Sequence, residues 1–360
     1  MNTSGSSVSV LRRLRGANNE GVLALILIGL VLAMSAANPA FFTLPTMFAI
    51  VRSSIVPLIF ALGVLIVIIS GGIDVSFAAI AVFAAYTTVR FSTSITDPGL
   101  IGAFALALLV GAGLGLVNGA VIARFKLPTL IVTLGTQGIF KGALLTYIGS
   151  RYIADLPGSM AAVSTTNVVE ISVDGRDAYL HVMAVPALLL CLAVAWMLRR
   201  TMFGRGIYAI GGDQEAARRA GFRVVRIQVL MYVLVGMLAA VGGMAYQIMG
   251  RSSSPQELVG GELDIIAAVV LGGASIFGGR GSVLGTTLGV LVVQVIGNSL
   301  ILAGVPSAWQ RAAVGGLLIV GVGVQALAAK KSGRRVHTNV DDPAPEPEPE
   351  AEREREGARA

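Results

Sequence analysis

Long apolar runs separated by short polar segments make up most of the chain between residues 21 and 328. A helix that crosses a bilayer needs roughly 20 apolar residues. The runs that meet or approach this length are 21–37, 53–70, 77–92, 100–123, 129–148, 182–198, 227–249, 264–279, 283–303 and 308–328. The pattern therefore predicts an all-α, polytopic membrane protein with about ten transmembrane helices.

The composition agrees with a membrane protein and excludes several other classes. Hydrophobic residues make up 55% of the 360 positions and charged residues only 13%, and the mean hydropathy is +0.80. Soluble domains carry about 25% charged residues. One cysteine, Cys191, cannot form a disulfide within the chain, and with His181 and His337 it gives no usual metal-ligand spacing. We therefore predict no metal and no cofactor.

The basic residues are concentrated in alternate connecting segments. The rich segments are 1–20, 124–128, 199–226, 280–282 and the tail, whereas the others hold only Arg151, Arg176 and Arg251, with Arg52, Arg90 and Arg311 at the ends of runs. Cytoplasmic segments of membrane proteins carry this excess of Lys and Arg. We therefore expect both termini in the cytoplasm, and we interpret the net charge of +7 as a topology signal, not as a nucleic-acid site.

These boundaries divide the chain into three parts. Residues 1–20 form a cytoplasmic N-terminal segment, and residues 21–328 form the transmembrane domain. Residues 329–360 form a cytoplasmic tail, whose alternating Pro and Glu cannot build a core and predict disorder. The longest external loop, about 149–181, has mixed polarity, and we expect it to form a small lid.

The chain is not expected to hydrolyse ATP by itself. A P-loop places Lys after Gly so that backbone N–H groups and the ammonium hold phosphates, but Phe125, Phe140, Ala329 and Lys330 precede the four lysines. Few acids lie near the runs (Asp74, Glu262 and Asp264), which is a thin set for a proton relay. A transport subunit without an ATPase site is predicted, and an ion-coupled secondary transporter stays open as an alternative.

The stretch "ISGGIDVSFA" (69–78) places Asp74 in a long apolar region, where it is the only charged residue between Ser53 and Val89. The two runs beside it are short, which is typical of discontinuous membrane helices. We predict that Asp74 caps the second helix, since unpaired backbone N–H groups cost several kcal/mol in lipid. The alternative is that Asp74 touches the transport path or an ATPase.

Three amides are further candidates to line a translocation path, namely Asn118, Gln137 and Asn298. The alternative for each is an interhelical hydrogen bond, worth roughly 0.6 kcal/mol. Arg52 and Lys141 lie in or beside apolar runs, and we expect their charged ends to reach the membrane interface.

The inside loop 199–226 contains "GGDQEAARRAG", which predicts a short capped helix. Asp213 is an N-cap residue, Glu215 lies in the first turn, and Arg218 and Arg219 lie in the last turn, where each charge matches the helix dipole. Gly221 ends the helix. A helix this short is marginal in water, so it is either a surface helix held by this chain or a docking element for a partner.

Two runs carry glycines at four-residue spacing, Gly111, Gly115 and Gly119 in one and Gly281, Gly285 and Gly289 in the other. This spacing puts each set on one helix face, where a second backbone can approach closely. We predict that both sets serve helix packing.

Four motifs in order carry a resemblance to a known family: "SGGIDVSFA", "VNGAVIARFKLPTLIVTLGT", "FGRGIYAIGGDQEAARRAG" and "GGELDIIAAVVLGGASIFGGRGSVLG". From about Ser53 to Ala328 the chain resembles the ribose/xylose-type permease subunits of bacterial ABC sugar importers. The resemblance implies a multi-pass protein of the inner membrane that works by alternating access. It also implies a second permease subunit, cytoplasmic ABC ATPase subunits and a periplasmic substrate-binding protein that delivers a monosaccharide or polyol.

The resemblance also implies that the inside loop is the segment on which the ATPase acts. Its implied coupling residues are Gly204, Arg205, Gly211, Asp213, Glu215, Ala216, Ala217 and Gly221. Permeases for nucleosides and for autoinducer 2 share much of this pattern. The substrate, and the choice between a homodimer and a pair of similar permeases, therefore stay open.

Overall fold

A computed structural model describes residues 20–38, 41–173, 176–258 and 260–302, with isolated positions between 304 and 319. The helices are α1 (Glu20–Ala37), α2 (Leu44–Ile69), α3 (Phe77–Ser94), α4 (Gly99–Phe125), α5 (Thr129–Ala143, continued by a π-helical turn at Leu144–Ile148), α6 (Gly158–Ser164), α7 (Ala184–Arg200), α8 (Met202–Gly212), α9 (Gln214–Arg219), α10 (Val224–Gly250), α11 (Glu262–Leu271) and α12 (Val283–Leu302). The strands are β1 (Asn167–Val173) and β2 (Arg176–His181). The predicted tail, most of segment 1–20 and most of the run 308–328 lie outside the described residues.

Among the described helices, five are long and apolar enough to cross a membrane: α2, α4, α5 with its π-helical turn, α10 and α12. The pair α7 and α8 bends by 71° and would be a sixth if it counts as one broken span. These helices agree with the predicted polytopic, mostly helical architecture. The number ten and the cytoplasmic termini stay predictions.

The all-α prediction is wrong for the external loop, where β1 and β2 form an antiparallel hairpin that pairs Glu170 with Tyr179. The sequence of β1, "NVVEISV", is rich in β-branched residues and alternates polar and apolar positions over its second half. This is the usual strand signal. The mixed polarity of the loop as a whole hides this local strand signal.

The span predicted at 264–279 is also wrong. Helix α11 has 10 residues and is about 15 Å long, half the thickness of a bilayer core. It ends at Leu271 with Gly272 as its C-cap, and Gly273 then adopts a φ of 90°, which favours glycine and turns the chain. Residues 272–279 are apolar enough to extend the predicted run, but the structure has turns and irregular backbone there.

Helix α2 begins at Leu44, nine residues before the predicted start, and its 26 residues make it about 39 Å long. The run before Asp74 is therefore not short, which corrects that part of the helix-break argument. Ser53 and Ser54 lie at the predicted start of the run. Both hydroxyls donate to the carbonyl of Ile50, at 3.0 and 2.7 Å, so the helix contains them without unpaired polar groups.

Helix α2 is the centre of the fold and contacts α3, α7, α8, α10, α11, α12 and β2. Its last turns, from Leu62 to Ile69, are buried. These last turns have no face free for lipid, so their position depends on every neighbour.

The glycine sets pack helix backbones together, as predicted, except that Gly281 precedes α12 and so lies off its helix face, where a Cβ would meet the side chains of Ile69 and Leu65 at 2.9 Å. A Cβ built on Gly111 would lie 2.4 Å from the carbonyl oxygen of Gly236 in α10, and one on Gly115 would lie 2.2 Å from that of Tyr232. In α12, a Cβ on Gly289 would lie 2.0 Å from the carbonyl oxygen of Ala268 in α11. Real Cβ atoms do not approach so closely, so these crossings require glycine.

Candidate functional site

A cavity of about 640 Å³ lies between α2, α3, α10 and α11. Ligand sites typically measure about 300–1,000 Å³, so it is large enough for a small polar molecule. It is lined by Ala49, Arg52, Ser53, Val56, Pro57, Phe60, Phe77, Tyr246, Met249, Gly250, Leu258, Gly261 and Ile265.

The polar side chains of the lining are Arg52, Ser53 and Tyr246. Arg52 lies 4.9 Å from the ring centre of Tyr179 in β2 and hydrogen bonds the Tyr179 hydroxyl. Arg52 thus faces the cavity, and the prediction that its charged end reaches the membrane interface stays a prediction. The signal was present, since "RSS" (52–54) interrupts an otherwise apolar helix.

Apolar groups form the rest of the wall. Phe60 and Phe77 pack with ring centroids 5.5 Å apart and a tilt of 49°. Aromatic and aliphatic walls with a few polar groups are typical of small-molecule sites.

Asp74 lies in a buried polar cluster beside the cavity. Its Oδ1 accepts hydrogen bonds from the backbone N–H and the hydroxyl of Ser76, both at 2.7 Å. Asn118 donates to the Ser76 hydroxyl at 2.8 Å and so joins α4 to this cluster. Ser76 itself occupies the N-cap position of α3, and its side chain makes no cap bond. Asp74 therefore lies two residues before the N-cap and holds the start of α3 through Ser76.

The other two amides bond to different partners. Gln137 donates to Glu262 Oε1 at 2.7 Å, and the Gly260 N–H donates to Glu262 Oε2 at 2.8 Å. Asn298 donates to the Ser53 hydroxyl at 3.3 Å and to the Gln294 carbonyl at 2.8 Å. The Gln137–Glu262 and Asn298–Ser53 contacts are interhelical bonds, as in the alternative given for these amides.

None of the four predicted path residues lines the cavity, but each contacts its surroundings. Asn298 bonds the lining residue Ser53, and the Asp74 and Asn118 cluster ends beside Phe77. Gln137 bonds Glu262, the neighbour of the lining residue Gly261. Whether any of them contacts a substrate stays a prediction.

We expect Asp74→Ala to destabilise the start of α3 and Asp74→Asn to retain it. Alanine leaves the buried Ser76 N–H without an acceptor, which costs about 1–3 kcal/mol. Asparagine keeps the accepting oxygen. Thermal unfolding in detergent and the yield of assembled protein compare the two variants. If Asn lowers stability as much as Ala, the carboxylate's charge matters beyond its hydrogen bonds.

On another part of the fold, the inside loop forms two helices in place of one. Helix α9 follows the prediction, because Asp213 Oδ1 accepts from the backbone N–H groups of Glu215 and Ala216 at 2.8 and 2.9 Å. Gly221 adopts a φ of 88° after it. Helix α8 was missed because its glycines lower helix propensity.

The residues predicted to couple the chain to an ATPase differ in exposure, and Gly211 is intermediate. Arg205, Asp213, Glu215 and Ala216 are exposed, and Arg218 pairs with Glu215 at 2.8 Å. Gly204 and Ala217 are buried. A Cβ on Gly204 would lie 2.4 Å from the carbonyl oxygen of Met197, so this glycine lets α8 fold back on α7.

The end of α8 touches the end of α2. A Cβ on Gly211 would lie 1.8 Å from the carbonyl oxygen of Ile69, and this oxygen accepts a 2.8 Å hydrogen bond from Gly279. The start of the same helix α2 lines the cavity from Ala49 to Phe60. One continuous helix therefore connects the inside loop to the cavity.

His181 holds the hairpin to α6 and α7. Its Nδ1 accepts from the Met183 N–H at 3.1 Å, so Nε2 carries the proton and donates to the Ser164 carbonyl at 3.2 Å. Burial lowers the pKa of His181 below 6.5, and the positive charges of Arg52 and Arg251 lower it further. The neutral ring is the form that satisfies both contacts.

Because the pKa of His181 is lower in the folded state, the unfolded chain takes up the proton first as the pH falls. Neutral His181 contributes its full stabilisation above pH 6.5. This contribution falls as the pH drops from 6.5 towards the lower folded-state pKa, and none of it is left below that pKa. We expect the Tm to fall between pH 7.5 and 5.5, and expect His181→Asn to reduce that fall. An equal fall in both proteins would exclude His181 as the cause.

Comparison with known proteins gives related transport permeases. Residues 46–322 match the family described as branched-chain amino acid transport system / permease component. The chain is 32% identical over 305 residues to the autoinducer 2 import system permease protein LsrC of Yersinia pseudotuberculosis serotype O:3 (strain YPIII). The aligned residues cover 85% of this chain and 84% of that protein. The same values hold for LsrC of Yersinia pestis (strain Pestoides F). No solved structure matches the chain.

Proposed function

This chain belongs to the family of ABC-importer permease components of the sugar type, and we propose that it forms the membrane path for a small sugar-like molecule, with autoinducer 2 as the first candidate. The chain is a multi-pass protein of the inner membrane. Membership in the family implies an ATPase and a binding protein as partners of the importer.

The similar proteins favour autoinducer 2 over a pentose. The four motifs resemble ribose/xylose-type permeases, and permeases for autoinducer 2 share much of the same pattern. The curated relatives, at 32% identity over 85% of the chain, are autoinducer 2 import permeases. A ribose- or xylose-like sugar is the second candidate, because the four motifs resemble those permeases.

The observation that carries the transport proposal is helix α2, which lines the cavity at one end and contacts Gly211 of α8 at the other. In the proposed cycle, cytoplasmic ATPase subunits bind the exposed side of α9 and push α8 when they close on ATP. The push moves α2 and changes the side on which the cavity opens, as in alternating access.

The proposed assembly contains two permease subunits, two ATPase subunits and a periplasmic binding protein. The exposed charges of α9, including Asp213 and Glu215, support a polar docking surface for an ATPase. The hairpin side of the cavity, near Arg52 and Tyr179, would face the periplasm and receive the substrate.

Uptake in cells tests the substrate. A strain without this permease, but with its ATPase and binding protein, receives either the native chain or an empty vector. We expect the native chain to restore uptake of labelled autoinducer 2, with unlabelled D-ribose and D-xylose as competitors to rank the second candidate. Restored uptake of leucine but of neither sugar-like compound would contradict the proposal.

A further inference from the structure

Arg52 is a charged side chain at the cavity that no described carboxylate neutralises. It is the only charged residue in the lining, and the ion pairs within 4.0 Å among the described residues join Glu215 to Arg218 and Arg219. A guanidinium stays charged at any physiological pH. The cavity therefore has a fixed positive charge on its wall.

The position of Arg52 is determined from outside the membrane helices. Tyr179 of β2 stacks against the guanidinium at 4.9 Å and hydrogen bonds it, although the two residues are 127 positions apart in the chain. Stacking fixes the plane of the guanidinium. A guanidinium has five N–H donors, so others stay available to a ligand.

The nearby charges leave this positive charge in place. Arg251, which follows the lining residue Gly250, acts on His181 together with Arg52 and adds positive charge at the same end. Glu257 interacts electrostatically with the lining residue Tyr246, and Glu262 accepts from Gln137 and Gly260. Glu170, which pairs with Tyr179 across the hairpin, is exposed, and none of these three carboxylates is within ion-pair distance of Arg52 among the described contacts.

We propose that Arg52 contacts the transported molecule and selects it by charge, and that Tyr179 is a positioning residue that orients the guanidinium. The selected class is a small, oxygen-rich molecule without positive charge, such as a neutral polyol or an anionic oxygen compound. The guanidinium donates to its oxygens and repels cations, while Phe60 and Phe77 pack against its C–H groups. This inference rests on the proposed function, because it places the cavity on the transport path.

The charge of the cavity can be measured without knowing the substrate. Ala49 and Arg52 both line the cavity and lie one helical turn apart on α2. In the full chain with Cys191→Ala, Ala49→Cys provides a single thiol at this wall. The probes are two methanethiosulfonates of similar size, one with a sulfonate and one with a trimethylammonium group.

For each variant we take the ratio of the modification rates by the anionic and the cationic reagent. We expect this ratio to be higher for Ala49→Cys than for the reference variant Ala216→Cys, whose thiol is exposed. Arg52→Gln should lower this rate ratio by roughly five- to tenfold, the factor expected for one unit charge acting on reagents of opposite sign across a helical turn in a water-like medium. Arg52→Lys, the matched control, retains the charge and should keep most of the ratio. An unchanged ratio in Arg52→Gln overturns the charge assignment.

Transport by the reconstituted complex tests the substrate contact. Arg52→Gln should raise the half-saturating concentration of autoinducer 2, and Tyr179→Phe should raise it less while the maximal rate stays near the native value. An unchanged half-saturating concentration in Arg52→Gln overturns the contact. If the native complex imports none of the sugar-like probes while the thiol ratio depends on Arg52, the proposed function fails and the charge assignment stands.

Discussion

Replacing Gly211 with alanine should abolish ATP-driven uptake, whereas the same change at Gly212 should leave uptake near the native level. A Cβ on Gly211 would lie 1.8 Å from the Ile69 carbonyl oxygen and 2.7 Å from the Gly279 nitrogen. Both atoms belong to the backbone and cannot move without shifting α2 or the turn after α11. Overpacking of this kind costs about 1–3 kcal/mol and occasionally more. It would fall on the contact proposed to transmit the ATPase motion.

Gly212 is a matched control, because a Cβ there meets nothing within 4 Å. The measurement is uptake together with ATP hydrolysis by the assembled complex. We expect Gly211→Ala to separate the two, with ATP hydrolysis retained and uptake lost. Native uptake in Gly211→Ala would show that α8 and α2 do not need this approach.

The second large effect concerns the crossing of α4 and α10. Gly115→Ala should lower thermal stability by several degrees, because its Cβ would lie 2.2 Å from the carbonyl oxygen of Tyr232. The two helices would have to separate along a crossing that also brings Gly111 to Gly236. A cost of about 1–3 kcal/mol corresponds to a drop of several degrees in Tm for a domain of this size.

Gly113→Ala provides the comparison within the same helix. Gly113 is exposed, and a Cβ there meets nothing within 4 Å. We expect Gly113→Ala to unfold at the native temperature or slightly above, because alanine is the better helix former. Equal Tm values for Gly113→Ala and Gly115→Ala would mean that the glycine face is not a packing requirement.

The features predictable from the sequence are those that depend on residues close together in the chain. The α9 helix followed from Asp213 and Gly221, which lie at its two ends. The packing role of Gly111 and Gly115 followed from their four-residue spacing. Local hydrogen bonding and helix periodicity decide these features, and both can be read from a few residues.

The features that were missed depend on distant contacts. The place of Arg52 in the cavity wall depends on Tyr179, which lies 127 positions away in a hairpin that the hydrophobic pattern did not predict. Helix α11 was made too long because the apolar residues after Gly272 look like more helix, although they turn back against α2 and α8. Tertiary contacts override the hydrophobic pattern in both cases.

Transport by the purified assembly in vesicles tests the central claim most directly. The chain is reconstituted with its ATPase, and the binding protein, loaded with labelled autoinducer 2, is supplied on the outside. We predict that accumulation requires ATP inside the vesicles, the ATPase subunit and the binding protein. We predict no accumulation by this chain alone under a proton or sodium gradient. Gradient-driven uptake by the chain alone, without ATP, would contradict the account.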